Sequence, residues 1–219
     1  MIINDGAITG NSSSTTDVYG AGIYNAGTLM MKGSTVSGNS SGGGYLGGAI
    51  YNDVSATATV NNSTVYGNTS YSIIASGGIR NSGTLSINSS TVDGNANGGI
   101  SNGATVILQN SIIADNDGNC YGTMISNGFN LSSDDTCNFN GSGDLNNTEP
   151  KLGPLQNNGG LTQTMAEGLD SPTVDAGNPH GCTDGQGHLL TTDQRGAPRP
   201  GKFKGDHRCD MGAFERQAD

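Results

Sequence analysis

The sequence predicts an all-β solenoid, with short parallel strands wound into stacked rungs and an irregular, disulfide-bonded C-terminal cap region. Three observations predict it. One segment is restated four times with a nearly constant core. The apolar residues of each copy alternate with polar ones. All four cysteines lie at or beyond residue 120, where the restatement stops.

The copies are "GAGIYNAGTLMMKGSTVSGNS" (20–40), "GGAIYNDVSATATVNNSTVYGNTS" (47–70), "GGIRNSGTLSINSSTVDGNANGGI" (77–100) and a shorter fourth. Aligned on a first Asn and a later Gly-Asn, the anchors are Asn25, Asn52, Asn81 and Asn102, then Asn39, Asn68, Asn95 and Asn116. Constant cores with elastic links are the signature of a solenoid whose insertions fall at one corner. Ile23, Ile50, Ile79 and Ile100 form one apolar row; Leu29, Ala58, Leu85 and Val106 a second; Met31, Val60, Ile87 and Leu108 a third; Val36, Val65, Val92 and Ile113 a fourth. The second and third rows are two residues apart, the period of a strand. A helix would need three- and four-residue steps and far fewer glycines.

Composition alone points elsewhere. The 37 glycines and a Leu, Ile, Val and Phe total of 38 residues, about 17%, would suit a disordered chain. Stacking answers that objection, because each rung contributes a few aliphatics to a shared axis and its neighbours bury them. Stacked Asn side chains bond amide to amide along the same axis. The organisation expected is rungs over residues 1–119 and a cap over 120–219. "MIINDGAITGN" aligns with residues 29–39, placing Met1, Ile3 and Ile8 level with Leu29, Met31 and Val36. The chain is therefore expected to enter mid-rung, as a truncated solenoid or one that stacks head to tail on its own copies.

The net charge is −10, but residues 1–113 hold only Asp5, Asp17, Asp53 and Asp93 against Lys32 and Arg80. No basic face suits nucleic acid, no apolar run of about 18 residues spans a membrane, and no leader pattern opens the chain. Four cysteines without a CxxC in a polar chain indicate two disulfides and an oxidising, extracellular setting. Neighbour pairing, Cys120 with Cys137 and Cys182 with Cys209, is expected. A zinc site of His180, Cys182, His207 and Cys209 is the alternative, at a spacing unusual for zinc.

"LGPLQNNGGLTQTMAEGLDSPTVDAGNP" (152–179) and "TTDQRGAPRPGKFKGDHRCDMGAFE" (191–215) closely resemble the choice-of-anchor Q domain of exported bacterial surface proteins. The matching stretches are 157–160, 162–164, 171–177, 193–196 and 209–215, and rungs of this type also occur in that family. The resemblance implies a right-handed parallel β-helix, export, and anchoring by a downstream sorting signal. Met165 stands where the family usually has His, and no sorting signal follows Glu215, so the mode of anchoring stays open. The family describes anchoring, which does not settle activity.

Catalysis on a glycan would need paired carboxyl groups or a base beside a cation. The rungs do not stack them: Asp93 is level with Ser37 and Tyr66, and Lys32 with Asn61, Asn88 and Gln109. These charges read as isolated, solvated side chains. Asp117, Asp134, Asp135 and Asp184 lie in Asp/Asn/Gly stretches that suit turns and are weak candidates for calcium. Asp193, Arg195 and Arg199 suit a structural arginine–carboxylate clamp. Tyr19, Tyr24, Tyr45, Tyr51, Tyr66 and Tyr71 gather near the links, where they would pack corners or meet glycans or partner proteins. The function expected is a non-catalytic surface protein, structural or adhesive, with head-to-tail fibre formation as one form of it; the alternative is a polysaccharide lyase or glycoside hydrolase.

Overall fold

A computed structural model describes residues 1–14, 19–42, 47–71, 76–201 and 208–218. Every regular element among them is a β-strand. Three parallel sheets run the length of the repeats, each taking one strand per rung. The first holds Ile2–Asn4, Thr28–Lys32, Thr57–Asn61, Thr84–Asn88, Thr105–Gln109 and Ile125–Ser126. The second holds Ala7–Thr9, Thr35–Ser37, Thr64–Tyr66, Thr91–Asp93, Ile112–Ala114 and Leu131–Ser132. The third holds Ile23–Asn25, Ile50–Asn52, Ile79–Asn81, Ile100–Asn102 and Cys120–Tyr121. This arrangement is consistent with a β-helical solenoid.

The register follows the sequence alignment. Ile23, Ile50, Ile79 and Ile100 are successive partners, and the column continues into Cys120. Leu29, Ala58, Leu85 and Val106 form another column, as do Val36, Val65, Val92 and Ile113. Ile3 pairs with Met31 and Ile8 with Val36. All these columns enter one buried cluster that ends at Cys137 and Phe139. Two corners per rung explain the glycine and asparagine content. Asp5, Gly33, Asn62, Ser89 and Asn110 all have left-handed backbones with φ between 44° and 62°. Gly10, Gly38, Gly67, Gly94 and Asp115 are left-handed too, with φ between 51° and 68°. Gly and Asn tolerate that conformation better than other residues.

The asparagine rows are hydrogen-bonded chains. Asn25 donates to Asn52, Asn52 to Asn81 and Asn81 to Asn102, at 2.7–2.9 Å. Asn11, Asn39, Asn68, Asn95 and Asn116 form a second chain at 2.8–2.9 Å. A serine row, Ser34, Ser63, Ser90 and Ser111, does the same at a neighbouring corner, each hydroxyl accepting the backbone N–H of the rung before it.

Two features differ from the sequence expectation. The stacking passes residue 119, because Cys120–Tyr121, Ile125–Ser126 and Leu131–Ser132 add one strand to each sheet. This rung lacks the Asn–Gly-Asn spacing and so is invisible to the alignment. Moreover, only residues up to about 148 cap the end: the Cys120–Cys137 disulfide closes it, and Leu145 pairs with Leu131. The remaining chain turns back along the flank as an arm, not a cap. It opens with a hairpin of Leu152–Gln156 and Thr164–Glu167. The outward threonines that begin the second-sheet strands hold it. Gln194 donates to Thr35 and accepts from Thr64, bridging two rungs; the Thr162 hydroxyl donates to the Gly33 carbonyl; Ala213 N–H donates to Thr91.

Candidate functional site

Where the arm crosses the first sheet it leaves a divided cleft. One pocket of about 280 Å³ lies between the Gly33–Asn62 corner and the arm's 192–196 turn, with Asp5, Lys32 and Leu161 at its walls. A second of about 280 Å³ lies between the outward residues Met30, Thr59 and Asn61 and the 184–190 loop. Lys32 borders both. In the first pocket Asn62 donates to the Thr192 carbonyl at 2.7 Å. Among the described residues Lys32 forms no ion pair.

The loop brings a hydrogen-bonded aspartate–histidine pair to this cleft. Asp184 meets His188 Nδ1 at 2.9 Å and also accepts the backbone N–H groups of Gln186 and His188. Those bonds outweigh partial burial and hold the Asp184 carboxyl below its usual range. With Nδ1 engaged, Nε2 is left for solvent or a ligand. Asp184 is thus occupied in shaping its own loop. Asp134 is similar, accepting from Asn119 N–H, Ser132 and Thr136, bonds that lower its carboxyl against burial. Asp117 accepts the Asn97 N–H, and the Asp135 carbonyl accepts the Asn138 N–H. The aspartates proposed for calcium are used locally, Asp134 and the adjacent Asp135 in one turn and Asp117 and Asp184 in two others, and no group of three metal-ligating side chains forms among the described residues.

A second surface feature stands on the outer face of the third sheet. Tyr24 and Tyr51 are register partners, with rings nearly parallel at 9° and centroids 5.8 Å apart. Tyr19 tilts over both at 5.3 and 5.7 Å. Asp53 clasps the pair, accepting from the Tyr24 hydroxyl at 2.6 Å and the Tyr51 hydroxyl at 3.3 Å. The Tyr24 bond lowers the Asp53 carboxyl and pushes the Tyr24 phenol up to about 12. Arg80 is next in the row and donates to Ser101. Tyr66 instead covers Gly94 of the following rung, Tyr71 stands 70% exposed, and Tyr45 lies outside the described residues. The tyrosines are one three-ring ledge plus separate side chains.

Cys182 and Cys209 are joined as the expected disulfide, which leaves no thiolate for the zinc alternative; His207 lies outside the described residues. One expectation is corrected outright. Asp93 is not a solvated charge. It is 4% exposed, and burial, then Asp115 and Glu149, push its carboxyl up to about 7. Lys32 is exposed, as a lone charge should be. The arginine clamp is present with a different geometry: Arg195 directs two nitrogens at one oxygen of Asp193, at 2.7 and 2.8 Å, and Arg199 pairs with Glu215 at 3.2 Å. Sequence reasoning missed the Asp184–His188 pair and Gln194, whose partners lie over a hundred residues away. The serine row it could have found, since the spacing matches the asparagine rows.

No family model matches the chain, and no curated protein or solved structure matches it.

Proposed function

We propose that this chain is an extracellular, non-catalytic surface protein: a right-handed β-helix of the choice-of-anchor Q type that acts as a rigid adhesive scaffold and holds glycans in the cleft around Lys32. The right hand follows the general chirality of parallel crossovers. The two disulfides support an oxidising setting. The observation that carries the adhesive reading is the cleft itself. An ammonium with no ion-pair partner among the described residues, carboxamides, hydroxyls and an imidazole line two adjoining pockets, beside the exposed aliphatic surfaces of Leu161 and Leu189. Polar groups beside small apolar patches match the two faces of a sugar ring.

Adhesion is favoured over head-to-tail fibres because residues 133–148 cover the far end of the sheets, where a partner would have to add its strands. Negative-stain microscopy should show single short rods; filaments would overturn that choice. Binding to immobilised polysaccharides should be lost in Lys32→Ala and kept in Tyr71→Ala; equal binding by the two variants would remove the cleft from the proposal. One observation favours the enzymatic alternative: a His188 oriented by Asp184 shares a pocket with Lys32, as proton abstraction beside an anionic sugar would require. Release of unsaturated or reducing ends from a bound polysaccharide, absent in His188→Ala, would select that reading.

A further inference from the structure

Glu167 is buried at 2% exposure in the arm's hairpin, yet neither of its carboxyl oxygens receives a well-formed hydrogen bond. The polar side chains that reach it are the carboxyl of Asp210 and the hydroxyl of Thr173. Asp210, 1% exposed, already has both carboxyl oxygens engaged by backbone donors. One oxygen accepts the backbone N–H of Asp175 and the other that of Arg216, both at 2.6 Å. The nearby charges are also assigned: Glu215 is paired with Arg199 and accepts the Gly201 and Asp210 N–H groups, and the Arg216 guanidinium donates to the backbone carbonyl of Glu167. Two adjacent buried carboxyl groups cannot both ionise without a large cost. Only a proton on Glu167 turns the contact into a donor–acceptor bond. Burial, then Asp210, push Glu167 in that direction, well above the usual carboxyl range.

The contact joins two parts of the arm. Glu167 ends the hairpin, while Asp210 lies in the segment 209–216 that seats on the rungs through Met211, Gly212 and Ala213. We propose that a proton held between Glu167 and Asp210 latches the hairpin to this segment, and that losing it in alkaline solution releases the arm while the rungs stay folded. The device is independent of what the cleft binds.

The two disulfides supply an internal comparison. Cys182–Cys209 lies in the arm and Cys120–Cys137 at the end of the rungs, and all four sulfurs are buried. With a phosphine reductant, the ratio of arm to rung reduction should rise with pH, by up to about tenfold per unit once the proton is lost. In Glu167→Gln, whose amide donates to Asp210 at every pH, the ratio should stay flat. A rise of equal size in Glu167→Gln overturns the proposal. Should that variant fail to fold, infrared spectra of the unmodified chain decide it. A protonated-carboxyl band that shifts on isotopic labelling of glutamate and persists above the value of about 7 to which burial pushes Glu215 is expected, and its absence overturns the latch.

Discussion

The rungs and the arm solve the problem of buried polar groups in opposite ways. In the rungs a buried Asn39, Asn68 or Asn95 is satisfied by its own copy one rung away. The solution is repeated, neutral and shared along the axis. In the arm each buried group has a partner of its own: Arg199 with Glu215, Arg195 with Asp193, Gln194 across Thr35 and Thr64. Repetition distributes stability, whereas unique pairing concentrates it. A single substitution should therefore act locally and strongly in the arm, and be diluted along the rungs.

Arg199→Ala tests this most severely. It leaves Glu215, fully buried, without its cation, a loss of about 3–5 kcal/mol for a broken buried pair. Hydrogen exchange should show the amides of 209–216 losing protection while those of Ile50, Ile79 and Ile100 keep theirs. Equal loss in both regions would mean that the arm and rungs unfold as one unit, and the contrast would fail.

Asn68→Ala probes the other side. The Asn68 side chain accepts from the Asn39 backbone N–H and side-chain amide and donates to Asn95, Val36 and Tyr66. Its removal orphans the buried Asn39 N–H, costing about 1–3 kcal/mol. Asn39 and Asn95 retain other partners, so the loss of protection should spread over several rungs. A loss as local and as large as that of Arg199→Ala would show the asparagine chains to be no more redundant than the arm.

The same contrast explains what could be read from the sequence. Rows of Ile, Val and Asn were legible because every copy states the same position again, so alternation and spacing gave the register without coordinates. The arm's path was not legible. Gln194 finds Thr35 at a separation of 159 residues, and nothing local in either segment announces the other. Asp93 shows the consequence: its place in the second sheet was readable, but its burial depends on where the chain runs near Glu149. The cleft was missed for the same reason, since Lys32 belongs to a rung and His188 to the arm. The disulfides were legible because neighbour pairing is a local inference.

The smallest expected effect sits where a rung row stops repeating. Tyr24, Tyr51, Arg80 and Ser101 share one outward row, and only the first two stack. Their clasp by Asp53 has a defined pH window. The Asp53 carboxyl is depressed, so its contribution is present above the ordinary carboxyl value and disappears as pH falls through the depressed one. The Tyr24 phenol is raised from 10.0 to about 12, so its contribution is complete below 10.0 and disappears as pH rises through about 12. An ultraviolet titration should show a tyrosinate step near pH 12 that Tyr24→Phe deletes and Asp53→Asn moves toward 10.0. Because the ring pair is exposed to solvent on the Tyr24 side, neither change should disturb the protection of the Ile23–Ile100 column. A step that survives Tyr24→Phe would place the perturbed phenol elsewhere. Loss of core protection in either variant would make the ledge part of the shared scaffold, not a feature added to one rung.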